Sequence, residues 1–142
     1  MIMRFPKWSQ VKLSDNFSIL EFHCHCALSG CDFTYIDTDL ILALEKLRMF
    51  VGPMRILSGF RCSRHNEMSG GKPGSFHLTG KAADVAAHCK PSYLALQAEQ
   101  IMEFRNGGVG RYFSFSHLDI RGYRVRWEKK VVEIDHDDPD PE

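Results

Sequence analysis

The sequence contains no long hydrophobic run. No segment approaches the ~20 apolar residues that a membrane-spanning helix needs, so we expect no insertion into a membrane. No apolar run follows the charges of residues 1–7 either, and we therefore expect no signal peptide and synthesis in the cytoplasm. No internal repeat divides the 142 residues, which are enough for one domain with its own core.

The sequence also has no net charge, but its charges are unevenly placed. Six of the 18 acids lie in residues 133–142, so residues 1–132 carry 18 basic and 12 acidic residues, a charge of +6. A mildly basic body suits an anionic polymer as substrate or partner, and an ordinary solvated surface explains it equally well. We interpret residues 1–131 as the domain and residues 132–142, acidic and containing proline, as a disordered tail.

The five cysteines, an odd number, argue against a fully disulfide-bonded framework. Cys24, Cys26 and Cys31 are close in sequence, and thiolate is a preferred zinc ligand. The sequence is therefore compatible with a second, structural metal site, for which Cys62 is the best distant candidate as fourth ligand. Because Cys-x-x-Cys spacing is absent, we favour the simpler interpretation of free, packed thiols.

Two segments have helical periodicity, Asp37–Gly52 and Pro91–Arg105. In the first, leucines recur at spacings of three and four, and Gly52 followed by proline ends the pattern. Strand-like segments are residues 54–61, 82–87, 111–115, 116–121 and 123–127. Helices and strands do not alternate regularly. The sequence therefore predicts a single α+β domain, with a mostly antiparallel sheet and two main helices packed against it.

Metal-binding residue types occur in two short motifs. Residues 75–84 read Ser-x-His-x-x-Gly-x-Ala-x-Asp, and residues 115–119 read Phe-Ser-His-Leu-Asp. Two imidazoles and a carboxylate can hold a zinc ion and leave a fourth position open, as in catalytic zinc sites. The motifs supply His77, Asp84 and His117. Spacing alone does not require these three to meet, and a lone histidine on a strand is more often a hydrogen-bonded structural residue.

The order of these motifs resembles the zinc D-Ala-D-Ala carboxypeptidase and endopeptidase family, which includes many phage endolysins and cell-wall peptidases. Upstream, Ser58-Gly-Phe-Arg61 and the Asn at position 66 are similar to its Ser-Gly-Tyr-Arg…Asn segment. Downstream, residues 108–112 with 115–119 are similar to its last signature. The resemblance spans roughly residues 13–127, and is to the short, single-domain branch that phages often encode.

The resemblance implies that His77, Asp84 and His117 bind one catalytic Zn²⁺ on the sheet. It implies that Arg61 faces the substrate, where a guanidinium can bind a carboxylate or stabilise an oxyanion; otherwise Arg61 is a salt bridge at a turn. Ser75 either contacts the substrate near the ligands or only shapes the loop. The implied function is hydrolysis of peptidoglycan stem peptides by a monomer without a nucleic-acid partner, with the bond cleaved left open.

The general base is where the sequence departs from part of that family. Many members have Glu or Asp three residues before the last ligand, and this sequence has Ser114 there. We expect Asp119 to take this catalytic role, because residues i and i+2 of a strand point to the same face and Asp119 then lies beside His117. The equal alternative is that Asp119 orients His117 or pairs with Arg61 or Arg121.

Two further functions are compatible with the sequence. Ser114 motivates a catalytically weak or inactive zinc-containing module that binds cell wall or a virion partner. A non-haem iron oxygenase using His117, Asp119 and His136 has weaker support, because the chain lacks the many strands of a double-sheet barrel. For the peptidase, we expect action on the cell wall or in the periplasm after release from the cell, or as a virion component.

Overall fold

The computed structural model of the chain describes residues 1–129. The predicted tail, residues 132–142, and His136 within it lie outside the described residues. The strands are β1 (Ile2–Pro6), β2 (Phe33–Asp37), β3 (Met54–Ser58), β4 (Ala82–Ala87), β5 (Gly108–Arg111), β6 (Ser116–Asp119) and β7 (Val125–Glu128). The α-helices are α1 (Thr38–Val51), α2 (Ser63–Met68), α3 (Pro91–Ala98) and α4 (Met102–Arg105), and short 3-10 helices span Ile19–Phe22 and Phe76–Thr79.

A five-stranded sheet in the order β3-β4-β6-β5-β7 positions the site. All its pairs are antiparallel except β5 with β7, and β1 and β2 form a separate antiparallel pair. This confirms the predicted α+β domain with mostly antiparallel sheet. No helix within residues 1–129 is long and apolar enough to cross a membrane.

One face of the sheet packs on the helices. Ala83, Val85 and Leu118 are fully buried in the main core, together with the apolar faces of α1 and α3. Because side chains alternate along a strand, their neighbours Asp84 and His117 point to the opposite face. The sheet therefore separates a hydrophobic core from a polar, buried face that carries the candidate site.

The first predicted helix is α1. Asp37 caps it by accepting a hydrogen bond from the backbone N–H of Asp39, and Gly52, at φ +80°, ends it in a conformation that favours glycine. The second predicted helix is interrupted: α3 ends at Ala98 and α4 begins at Met102. Between them Ile101 is extended and buries its side chain, so core packing at this point overrides helical continuity.

The predicted strand at residues 111–115 is displaced towards the N-terminus. The glycine-rich segment Gly108–Arg111, which local composition suggests is a connection, forms β5, and residues 112–115 turn. The physical reason is a close approach: a Cβ on Gly110 would lie 2.3 Å from the ring of Trp127. Gly110 therefore allows the indole ring of Trp127 to pack directly on the backbone of β5.

Ion pairs connect the edge strand β7 to the end of α3. Arg126 donates two hydrogen bonds to the carboxylate of Glu99, at 2.7 and 3.0 Å, and Arg124 donates another at 2.9 Å. Hydrogen bonds from Arg126, opposed by partial burial and supported by Arg124, lower the pKa of Glu99 from 4.5 to about 2.

We expect Glu99→Gln to lower the free energy of unfolding at pH 7. A pKa lowered to about 2 corresponds to roughly 3 kcal/mol of stabilisation of the folded state. Because the side chain of Glu99 is 31% exposed, solvent screens this interaction, and we expect a loss of about 1 kcal/mol. A carboxyl with a depressed folded-state pKa stabilises the fold above its unfolded pKa and loses this contribution as pH falls. The difference between wild type and Glu99→Gln, measured by urea denaturation, should shrink between about pH 4.5 and 2.

The matched control is Glu128→Gln, which removes an ion pair whose two side chains are 43% and 48% exposed. We expect that change to alter stability by less than about 0.5 kcal/mol. A difference between wild type and Glu99→Gln that stays constant from pH 7 to pH 2 would contradict the prediction.

Candidate metal centre

The structure brings together the three residues that the motifs supply. Asp84 on β4 and His117 on β6 are directly opposite each other in the antiparallel register, and His77 lies in the 3-10 helix before β4. One Asp84 oxygen, Oδ1, is 3.3 Å from His77 Nε2 and 3.1 Å from His117 Nδ1. All three side chains are buried, and one nitrogen or oxygen atom from each lies within 4.8 Å of the others.

The turn that presents His77 is held by its own residues. The hydroxyl of Ser75 accepts a hydrogen bond from the backbone N–H of His77, at 3.2 Å. Gly80 ends the turn at φ +76°, and a Cβ there would lie 2.4 Å from the carbonyl oxygen of Tyr35. Of the two roles considered for Ser75, the geometry therefore favours shaping the loop over contact with substrate.

The hydrogen bond of the second ring nitrogen determines which atom His77 offers. His77 Nδ1 lies 2.7 Å from the carbonyl oxygen of Gly59. Because a carbonyl can only accept, Nδ1 must carry the proton, and Nε2 of the neutral ring presents a lone pair. Among the described residues Nε2 has no hydrogen-bond partner, although it is buried and faces a carboxylate oxygen of Asp84. Two acceptors directed at each other in a buried site need positive charge between them, and a bound metal ion would supply it.

His117 is oriented from behind by Asp119. Its Nε2 lies 2.7 Å from Asp119 Oδ2, while its Nδ1 faces Asp84. A carboxylate that binds one ring nitrogen and leaves the other directed at a cation is the usual support of a metal-ligating histidine. Trp127 also packs against the imidazole of His117, with ring centroids 5.0 Å apart, and donates its indole N–H to the hydroxyl of Tyr112 at 3.0 Å.

Asp119 is fully buried and its oxygens are occupied. Besides His117, its carboxylate accepts hydrogen bonds from the backbone N–H of Gly108 at 2.8 Å and from the Arg121 guanidinium at 2.7 and 2.9 Å. Burial alone would raise the pKa of Asp119, but the hydrogen bonds from His117 and Arg121 outweigh it and hold the pKa well below its usual range. The geometry therefore favours the orienting role over the expected role of general base.

Arg61 holds the second oxygen of Asp84. Its guanidinium donates to Asp84 Oδ2 at 3.1 Å, to Ser58 Oγ at 3.0 Å and to Asn66 Oδ1 at 3.3 Å. These bonds use three of its five N–H groups. Arg61 is thus a salt bridge at a turn, as one interpretation of the sequence has it, and two N–H groups remain for another ligand.

The residues fit a zinc ion. Two imidazole nitrogens and a carboxylate oxygen form the donor set of many catalytic zinc sites, with bonds of about 2.0–2.1 Å. Tetrahedral ligands at that distance are about 3.3 Å apart, and the contacts of Asp84 Oδ1 are 3.1 and 3.3 Å.

Sequence reasoning missed several supporting groups. Nothing in the local pattern singles out Trp127 or the carbonyl of Gly59, because each approaches the site from a distant part of the chain. The cysteine group, by contrast, meets in the combination considered from the sequence: Cys24, Cys26, Cys31 and the distant candidate Cys62 have one sulfur each within 4.8 Å of the others. All four thiols are free.

The fold and the buried His–Asp–His group define a candidate metallohydrolase centre. A family model described as Peptidase M15 matches residues 15–119, a range that contains all three ligand-type residues. The chain belongs to the Peptidase M15 family, and this membership implies a zinc peptidase that acts on peptidoglycan peptides. A comparison with curated proteins gives no match.

We expect Asp119→Asn to weaken zinc binding at this centre by about 10–100-fold, because it removes the negative partner of His117. The affinity can be measured by competition with a chromophoric chelator. Only the zinc binding that is lost in His77→Ala is counted, because that binding belongs to this centre. Asp39→Asn, which changes an aspartate whose side chain is 63% exposed, is the control. Equal affinities for wild type and Asp119→Asn would rule out the orienting role.

Proposed function

We propose that the protein is a zinc-dependent peptidase that hydrolyses peptide bonds of peptidoglycan stem peptides, as a D-Ala-D-Ala carboxypeptidase or as an endopeptidase of the endolysin type. The observation that carries the proposal is the unpaired Nε2 of His77, buried against Asp84 and His117 in a chain of the Peptidase M15 family. The mildly basic body of the chain suits an anionic cell wall.

In this proposal His77, Asp84 and His117 hold the zinc ion. When bound, zinc acts as a Lewis acid that polarises a carbonyl and lowers the pKa of water towards about 7. The neighbouring residues keep the ligands in position: Gly59 fixes the proton of His77 on Nδ1, and Asp119 fixes the orientation of His117.

Arg61 is the residue we propose for substrate binding. Its guanidinium lies against Asp84 and retains two N–H groups that this structure leaves for a substrate. A guanidinium at that point can bind the terminal carboxylate of a stem peptide or stabilise the charge that develops on a carbonyl oxygen. Its side chain is 18% exposed, so these interactions take place with little screening by solvent.

A catalytically weak module that binds cell wall is the second candidate function. Ser114 is exposed and cannot accept a proton at neutral pH, and the carboxylate of Asp119 is fully occupied. The position that supplies an acid in many family members is therefore filled by a hydroxyl. This observation favours slow turnover with the zinc ligands retained.

We also propose membership of the short branch often encoded by phages, and action on the cell wall or in the periplasm after release, or within a virion. The motif order supports this. We further propose a monomer that uses no nucleic acid, and residues 1–131 as the functional domain.

The test is release of D-alanine or short peptides from purified sacculi by zinc-loaded protein. We expect wild type to release them at least about 100-fold faster than His77→Ala, which lacks a metal ligand. Free D-alanine identifies a carboxypeptidase, and longer fragments identify an endopeptidase. Asp39→Asn should match wild type.

Sedimentation with sacculi separates the two candidate functions. Binding by both wild type and His77→Ala, with no release by either, would replace the peptidase with the binding module. Neither binding nor release from sacculi would contradict both.

A further inference from the structure

Four of the five cysteines converge at a point where three separate segments meet. Cys24 and Cys26 lie on an irregular segment, Cys31 follows a turn, and Cys62 precedes α2. Their sulfur atoms lie within 4.8 Å of one another, and Cys26 Sγ is 3.8 Å from Cys62 Sγ. No disulfide joins them.

The 3.8 Å between Cys26 Sγ and Cys62 Sγ matches the spacing of zinc ligands. A tetrahedral zinc with Zn–S bonds of about 2.3 Å places neighbouring sulfurs about 3.8 Å apart, whereas a disulfide requires about 2.05 Å. We propose that Cys24, Cys26, Cys31 and Cys62 bind a second zinc ion in a closed site with four protein ligands. Four thiolates leave no open position, so this ion is structural.

Backbone N–H groups already point at the sulfurs. The N–H of Cys62 donates to Cys24 Sγ and the N–H of His65 donates to Cys62 Sγ, both at 3.4 Å. Hydrogen bonds of this kind favour the charged form of a group and orient metal ligands. The main chain around Cys62 is thus arranged for thiolates.

Lys7 provides a second, independent observation. It is 7% exposed, and its ammonium donates to Cys26 Sγ at 3.5 Å and to the Cys26 carbonyl at 2.9 Å. None of the ion pairs formed within residues 1–129 gives it a carboxylate partner. A buried ammonium needs compensating negative charge, and a zinc ion with four thiolates carries a net charge of −2.

The second ion would connect the N-terminal segment to the candidate catalytic centre. Cys62 follows Arg61, whose guanidinium holds Asp84. Residues 23–28 have no helix or strand of their own, so their thiolates supply a link that fixes the turn carrying Arg61. The inference concerns a structural site and does not depend on the peptidase proposal.

The first test is the zinc content of the purified full chain. We expect about two zinc ions per chain in wild type, one for each ligand group, and about one in His77→Ala. We expect about one in the double variant Cys24→Ser with Cys62→Ser. Cys89→Ser is the matched control: Cys89 lies outside the group, and this variant should retain about two.

Cobalt substitution identifies the ligands. We expect wild type and His77→Ala loaded with Co²⁺ to show an intense thiolate-to-cobalt charge-transfer band, and the double cysteine variant to lack it. If that variant does not fold, a mercurial thiol reagent added to Cys89→Ser should release one zinc as its four remaining thiols react. A wild-type chain that holds no thiolate-bound metal, or that holds iron there, would overturn the proposal.

Discussion

The candidate site depends on the antiparallel register that places Asp84 opposite His117. A slip of one residue between β4 and β6 would turn Asp84 into the core and Val85 towards the site, because side chains alternate between the two faces. Ala83, Val85 and Leu118 are fully buried on the other face, so such a slip would expose or misplace each of them. The hydrophobic core thus fixes the geometry of the polar face without contributing a residue to the His–Asp–His group.

Charge organises the polar face around that register. Asp84 directs one oxygen at the two histidines and gives the other to Arg61, while Asp119 lies behind His117 and is neutralised by Arg121. Burial alone would raise the pKa of Asp84, but the hydrogen bond with His117 and the proximity of His77 outweigh it and hold the pKa below its usual range. A cation at the same oxygen acts in the same direction, because it favours the ionised carboxylate.

The sequence predicted those parts of the structure that local pattern determines. The periodicity and capping of α1 are local, and the motifs of residues 75–84 and 115–119 supplied the ligand-type residues. The role of Asp119 could not be predicted from local sequence alone. Strand alternation places Asp119 beside His117, but its hydrogen bonds with Gly108 and Arg121 also require β5 and the turn after β6. Convergence of Cys62 with three cysteines more than 30 positions away likewise depends on tertiary structure.

Arg61 and Cys62 are adjacent in one turn, and this turn connects the His–Asp–His group to the cysteine group. One residue holds a carboxylate of the His–Asp–His group and the next contributes a sulfur to the cysteine group. The backbone N–H of Arg61 also donates to the carbonyl of His77, so the turn is tied to the metal centre by main chain as well as side chain. A change at the cysteine group that displaced this turn would therefore also alter the hydrogen bond between Arg61 and Asp84.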